Sequence, residues 1–204
     1  EFFGVELKVD RRALIPRPET EYLLSLVVEK VVTAPARILD LGTGSGAIAL
    51  GLANHYATAK VLGVDVSAAA VALARENTAA LALENRVTIS QSDWFEQISP
   101  GSQFDLIVAN PPYLSATETA ETLVEVRNYE PEIALTPGES GLESLQVIIA
   151  KTKDFLAQDG LLAMETGTAQ HEKLGAWFEA AGYRRHEFAL DLADRPRFAF
   201  AWAN

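Results

Sequence analysis

Apolar residues occur along this chain in short continuous runs, and longer stretches with helical periodicity separate most of these runs. The runs, which predict buried strands, are Arg37 to Leu41, Lys60 to Val66, Val87 to Ser92, Phe104 to Ala109 and Gly160 to Thr166. The stretches between them, which predict helices, are Gly46 to Tyr56, Ser67 to Leu83 with Ser67 as N-cap, Leu142 to Ala157 and Ala169 to Ala181. Short apolar strands that alternate with helices are typical of a parallel sheet covered on both faces. The pattern therefore predicts a doubly wound α/β fold.

The start of the chain follows a period of two. Apolar residues alternate there with glycine or charged residues, at Phe3, Val5, Leu7 and Val9. This pattern predicts a half-buried strand within an N-terminal hairpin. A helix should follow, because Pro18 suits a first helical turn and residues 22–32 supply an apolar stripe. We therefore expect residues 1–33 to form a β-hairpin and a connecting helix, ahead of a catalytic domain over residues 34–204.

Two further strands are predicted at the end of the chain, where apolar and polar residues alternate over Arg185 to Leu192 and Arg197 to Trp202. The turn around Asp194 is too short for a helical crossover, so these strands should pair antiparallel. Five parallel strands closed by this C-terminal hairpin make a seven-stranded, mostly parallel sheet. That arrangement is similar to the sheet of the class I S-adenosylmethionine-dependent methyltransferases.

Composition and charge narrow the class of protein. The chain has 204 residues, 49% of them hydrophobic, which suffices for one full core. No apolar stretch approaches the ~20 residues of a membrane span, so we expect a cytoplasmic protein. There is no cysteine, and the three histidines lie far apart, so no metal site is predicted. A net charge of −11 disfavours nucleic acid as a partner, because like charges repel.

A glycine-rich turn joins the first predicted strand to its helix. It runs from Asp40 through Leu41, Gly42, Thr43, Gly44 and Ser45 to Gly46. Open α/β sheets bind ligands at this point, and glycine lets the backbone approach them closely. Asp65, near the end of the next predicted strand, is placed to hold a ribose. The motif suits both NAD and S-adenosylmethionine and does not separate the two.

Charge at the strand ends favours one of these cofactors. Asp40, Asp65 and Asp93 lie at or just past the ends of the first three predicted strands, so we expect them to converge on one pocket edge. Such an edge would repel the pyrophosphate of a dinucleotide, but it suits S-adenosylmethionine, whose net charge is about +1. Trp94 and Phe95 follow Asp93 and are candidates to pack on the adenine.

The tetrapeptide Asn110-Pro111-Pro112-Tyr113 follows the fourth predicted strand, where the cofactor's methyl group should lie. Prolines lack an N–H donor and fix φ, so they hold the neighbouring carbonyl groups rigidly as acceptors. Asn110 offers a side-chain carbonyl as a second acceptor next to the cofactor, and Tyr113 can lie flat against a planar group. We call these four residues the amide cage, since they predict a site for a conjugated NH₂ group.

The sequence resembles the HemK/PrmC family of protein-glutamine methyltransferases. The segments that carry the resemblance are Leu14 to Glu21 (LIPRPETE), Asp40 to Gly46, Asn110 to Tyr113 and Glu125 to Pro131 (EVRNYEP). The resemblance implies methylation of the glutamine amide in the Gly-Gly-Gln motif of peptide-chain release factors. It makes Asn110, Pro111 and Tyr113 the catalytic residues: the Asn110 side chain and the Pro111 carbonyl accept the two N–H bonds of the glutamine.

Other functions remain open on the sequence alone. Family members carry a helical domain before the hairpin that helps to grip the release factor; these residues do not contain it, and we expect them to be part of a longer protein. Ribosomal-protein glutamine methyltransferases share the central motif. A nucleic-acid adenine methyltransferase would use the same amide cage, although it predicts a basic groove. A non-catalytic cofactor-binding module would not need the cage.

Overall fold

The computed structural model describes residues 1–114, 140–183 and 185–203. Its helices are α1 (Pro18–Lys30), α2 (Ala47–His55), α3 (Ala68–Ala80), α4 (Glu143–Thr152) and α5 (His171–Ala180). Its strands are β1 (Arg37–Leu41), β2 (Lys60–Asp65), β3 (Val87–Gln91), β4 (Phe104–Ala109), β5 (Leu156–Glu165), β6 (Arg185–Leu190) and β7 (Pro196–Trp202). Within the described ranges, no helix is long and apolar enough to cross a bilayer.

The strands form one seven-stranded sheet in the order β3-β2-β1-β4-β5-β7-β6. Strands β1 to β5 pair in parallel, and β7 runs antiparallel to both of its neighbours, β5 and β6. The predicted mostly parallel sheet with a C-terminal hairpin is therefore confirmed. Strand order reverses between β1 and β4, and a ligand crevice is expected at the carboxyl ends of strands at such a point.

Both faces of the sheet are covered, which explains why the central strands are continuously apolar. One buried cluster joins α1 and α2 to the sheet through residues such as Leu23, Val27 and Leu50. A second cluster packs α4 and α5 on the opposite face, through residues such as Ile148 and Phe178. These two layers fix the loops at the carboxyl ends of the strands.

The predicted N-terminal hairpin is wrong in its extent. Across residues 1–17, all of which the structure describes, pairing is limited to one antiparallel bridge between Phe2 and Val5. Phe3 and Gly4 have positive φ values of 46° and 76° and make the two-residue turn. The turn shifts the alternation, so Phe2 and Val5 are buried in the core. Beyond it the backbone bonds to α3 instead of a strand: the Lys8 amide donates to Asn77 Oδ1 at 2.9 Å.

Two helix ends test the capping and length predictions. Ser67 is the N-cap of α3, as predicted, and its hydroxyl accepts the Ala70 amide at 3.2 Å. Helix α4 ends at Thr152, short of the predicted Ala157, because Leu156 already belongs to β5. The apolar run there suits a helix or a strand, and pairing with β4 decides for the strand.

Candidate active site

A cavity of about 310 Å³ lies at the carboxyl ends of β1, β2 and β4. This volume is at the lower end of the range of small-molecule sites. The glycine turn forms one wall, residues after β2 and β3 form another, and Asn110 and Pro112 lie between them. The segment before α1 closes the cavity with Arg12, Leu14 and Pro16. Leu14 and Pro16 belong to the family-like segment Leu14 to Glu21, but no role was predicted from the sequence for any of the three.

A second groove, of about 410 Å³, lies between β2, β3 and the loop before β4. Two of its cationic side chains are used within the fold: Arg86 donates to the Ala53 carbonyl at 2.9 Å, and Lys60 donates to the Asn85 carbonyl at 2.7 Å. The smaller cavity is the candidate site because it contains the glycine turn at the strand-order reversal.

The glycine turn is held tightly against β2. The amides of Gly42 and Thr43 both donate to the Val64 carbonyl at 2.9 Å. Gly42, Gly44 and Gly46 all have positive φ values, of 72°, 57° and 87°. Such φ values favour glycine, which explains the residue type at these three positions.

The predicted turn residues differ in their distance from the cavity. Gly42, Thr43, Gly44 and Ser45 line it. Gly46 instead packs behind the wall, where a Cβ atom would lie 3.3 Å from that of Ala74 in α3. Gly46 therefore shapes the turn and does not face the ligand space.

Asp65 lines the cavity and also organises it. One carboxylate oxygen accepts the Gly44 amide and the other accepts the Ser67 amide, both at 2.9 Å. Burial raises the pKa of Asp65, and the two backbone hydrogen bonds oppose that rise. Each oxygen keeps a second lone pair, so the carboxylate can also accept from the hydroxyls of a ribose.

The expectation that Asp40 reaches the pocket edge is wrong. Its side chain is fully buried, and Oδ2 accepts the Thr43 hydroxyl at 2.5 Å and the Ala49 amide at 3.1 Å. Asp40 belongs to the central strand β1, and its carboxylate lies behind the turn, where it ties the turn to α2. Burial raises its pKa to about 7, against the opposing Thr43 hydrogen bond. The cavity wall therefore contains Asp65 and Asp93 without Asp40.

The two aromatic residues after Asp93 have different environments. Trp94 lines the cavity, and its Cζ3 atom lies 3.5 Å from where a Cβ on Gly42 would be. Its ring is thus against the turn and beside the ligand space. Phe95 is 4% exposed and stacks on Phe155 at 4.8 Å between ring centroids. Phe95 is a core residue, and its candidacy for adenine contact was wrong.

Only two of the four amide-cage residues line the cavity. Asn110 and Pro112 line the cavity, whereas Pro111 is buried. The Tyr113 ring lies 5.5 Å from the Arg197 guanidinium, and its hydroxyl donates to Glu165 Oε1 at 2.7 Å. Burial and the adjacent Glu165 carboxylate both raise the pKa of Tyr113. The phenol therefore remains protonated, and its one O–H bond is directed at Glu165.

Asn110 is held by Thr20, which lies in the family-like segment Leu14 to Glu21, and through it by Glu165; the sequence predicted this role for neither. Its Nδ2 atom donates to the Thr20 hydroxyl at 2.9 Å, and that hydroxyl donates to Glu165 Oε2 at 2.7 Å. Burial raises the pKa of Glu165, which the hydrogen bonds from Thr20 and Tyr113 oppose. Glu165 is the last residue of β5, beside β4. A polar residue at the end of a neighbouring strand was the available signal. The segment Glu125 to Pro131, which also carries the family resemblance, lies outside the described residues.

Comparison with known proteins decides the family. A model of the methyltransferase small domain matches residues 18–130. The release factor glutamine methyltransferase of Nitratidesulfovibrio vulgaris is 38% identical over all of this chain and 70% of its own length. The Escherichia coli enzyme of the same name is 40% identical over 97% of this chain and 70% of its own length. The chain belongs to the release factor glutamine methyltransferase family. It spans about 70% of the length of these family members.

Solved structures show how widely this family's fold is shared. The N-terminal domain of human METTL16, in complex with SAH, has a TM-score of 0.69 at 18% identity, over 98% of this chain and 76% of that one. The 16S rRNA methyltransferase RsmC of T. thermophilus, in complex with AdoMet and guanosine, has a TM-score of 0.68 at 22% identity, over 93% of this chain and 44% of that one. At these identities the likeness establishes the class I methyltransferase fold alone.

Proposed function

We propose that this chain transfers the methyl group of S-adenosylmethionine to the side-chain amide nitrogen of a glutamine, that of the Gly-Gly-Gln motif in a peptide-chain release factor. One observation carries the proposal. The Asn110 carboxamide stands in the wall of the cavity that contains the glycine turn, and its nitrogen is engaged by Thr20.

The cavity suits the cofactor by shape and by charge. Gly42 and Gly44 keep side chains out of the wall, Trp94 offers an aromatic face, and Asp65 offers a carboxylate for the ribose. Asp93 adds a second acidic group, which favours a cationic ligand. When bound, S-adenosylmethionine supplies an electrophilic methyl group on a positively charged sulfur.

The protein's own contribution is to orient a weak nucleophile. An amide nitrogen is weak because its lone pair is delocalised into the carbonyl, so catalysis depends on positioning. Because the Nδ2 atom of Asn110 donates to Thr20, the carboxamide oxygen of Asn110 points away from Thr20. This oxygen and the Pro111 carbonyl are the two acceptors proposed for the glutamine NH₂ group. Tyr113 is the proposed flat neighbour of the amide plane.

The family relatives support glutamine as the methylated residue, since both carry that substrate in their names. The net charge of −11 supports a protein over a nucleic acid. A release factor acts on ribosomes, so the proposal places the activity in the cytoplasm. A ribosomal protein with an exposed glutamine is the neighbouring alternative that a substrate test must separate.

The test measures labelled methyl transfer to three substrates: a release-factor fragment with its Gly-Gly-Gln loop, the same fragment with that glutamine changed to alanine, and an adenine-containing DNA duplex. We expect incorporation into the first alone. A ribosomal-protein fraction tests the alternative in parallel. Incorporation into DNA, or into the alanine fragment, would overturn the proposal.

Asn110→Ala tests the residue that carries the proposal. Loss of one positioned acceptor should lower the rate by about 10²–10³. Binding of S-adenosylhomocysteine, measured by calorimetry, should change much less. Full activity in this variant would show that the tetrapeptide is only a rigid loop.

A further inference from the structure

Glu165 is a buried acid for which the proposed chemistry has no direct use. Its side chain lies at the end of β5 and is 2% exposed. Each carboxylate oxygen accepts one hydroxyl at 2.7 Å, Oε2 from Thr20 and Oε1 from Tyr113. The two hydroxyls approach from α1 and from the amide cage, so Glu165 joins distant parts of the chain.

The direction of these hydrogen bonds follows from Glu165. Both carboxylate oxygens of Glu165 accept a hydroxyl, so the single hydroxyl proton of Thr20 is committed to Oε2. The Thr20 oxygen then has only lone pairs left and must accept from its next neighbour. That neighbour is Nδ2 of Asn110, at 2.9 Å. Rotating the carboxamide by half a turn would set its oxygen against the Thr20 oxygen with no proton between them.

We propose that Glu165, acting through Thr20, is a positioning residue that fixes the Asn110 carboxamide with its oxygen toward the reacting amide. The inference rests on the proposed function. It adds the reason why the site selects an NH₂ donor: Glu165, two hydrogen bonds away, determines which end of the Asn110 carboxamide faces the substrate. A substrate that presents a hydrogen-bond acceptor to Asn110 would meet the carboxamide oxygen, which is itself an acceptor, and no hydrogen bond could form.

A double-mutant cycle tests this inference with methyl transfer to the release-factor fragment. Thr20→Val keeps the side-chain shape and removes the hydroxyl, so we expect kcat to fall about 10- to 100-fold, the scale of one buried hydrogen-bond partner lost. S-adenosylhomocysteine affinity should be nearly unchanged. Thr20→Ser keeps the hydroxyl and should recover most of the rate. Ser25→Ala removes a hydroxyl that bonds only within α1 among the described contacts, and it should be silent.

The cycle separates positioning from general support of the fold. If Thr20 acts through Asn110, adding Asn110→Ala to Thr20→Val should cost far less than Asn110→Ala costs in the parent chain. If Thr20→Val destabilises the fold, Glu165→Gln supplies a second cycle: with its oxygen still accepting from Tyr113, its NH₂ group faces Thr20 and frees the Thr20 proton to turn toward Asn110.

The outcomes distinguish this inference from the function on which it rests. A parent chain that leaves the fragment unmethylated overturns both. A parent chain that methylates it, with losses from Thr20→Val and Asn110→Ala that simply multiply, overturns the positioning role alone. So does a Thr20→Val variant with the full kcat.

Discussion

Asp40 should make the stability of this protein depend on pH. The residue is fully buried in β1, and burial raises its pKa to about 7 from a usual value of 3.8. The adjacent Asp65 carboxylate adds to this rise. One carboxylate oxygen, Oδ1, lacks a hydrogen-bond partner among the described residues, so ionisation leaves charge poorly compensated.

The sign and size of the effect follow from proton linkage. Because the folded pKa is the higher one, the folded state binds the proton more tightly, and the stability from this group is lost as pH rises through about 7. Between pH 5 and pH 8 the expected loss from Asp40 is about 2–3 kcal/mol, from 1.36 kcal/mol for each pKa unit. Asp40→Asn keeps the shape without the ionisation.

Urea unfolding of the cofactor-free protein at pH 5 and pH 8 measures this difference. We expect the variant to unfold at a higher urea concentration relative to the parent at pH 8 than at pH 5. The comparison at pH 5, where both side chains are neutral in the folded state, is the internal control. A difference between variant and parent that does not change with pH would refute the reasoning, because the pKa of Asp40 would then be ordinary.

Three further outcomes are expected. Gly46→Ala should lower the free energy of unfolding in urea by about 2–3 kcal/mol, because φ is 87° and a Cβ atom would lie 3.1 Å from Leu50 Cδ1. Gly101→Ala is the control, with a similar φ of 79° but open space around the Cβ position, and it should lower that free energy by about 1–2 kcal/mol. Equal losses would show that packing against Leu50 does not matter. Asp65→Ala should weaken S-adenosylhomocysteine binding by about 1.5–3 kcal/mol in calorimetry, and unchanged affinity would exclude the ribose contact. Trp94→Ala should weaken S-adenosylhomocysteine binding with little loss of stability, whereas Phe95→Ala should lower the free energy of unfolding by about 3–5 kcal/mol. The reverse pattern would make Phe95 the cofactor contact and Trp94 the core residue.

Strands of the sheet could be predicted where the local sequence pattern fits only one secondary structure and the strand is buried as that pattern indicates. β1 and β4 run over the predicted residues because continuous apolar runs suit a buried parallel strand and little else. The end of α4 was not predictable, since the run at Phe155 and Leu156 suits a helix or a strand. Pairing between Phe104 and Leu156 settles it.

Some residues of the candidate site could likewise be predicted from the sequence, and others could not. The glycine turn and Asp65 could be placed from the sequence because the carboxyl end of a parallel strand is a topological position. Asp40 could not, because its role depends on where the side chain points from β1. Phe95 likewise looked available, although its ring is part of the core.

The sequence by itself determined the layered α/β fold, the ligand end of the sheet and the amide cage, because each depends on residue type and spacing within a short segment. Only the tertiary structure decided which groups orient the cage. Thr20 and Glu165 are 145 residues apart, and their hydrogen bond exists only because α1 packs at the end of β5. A short-range pattern carries no information about such a pair, since long-range packing alone brings the two side chains within hydrogen-bonding distance.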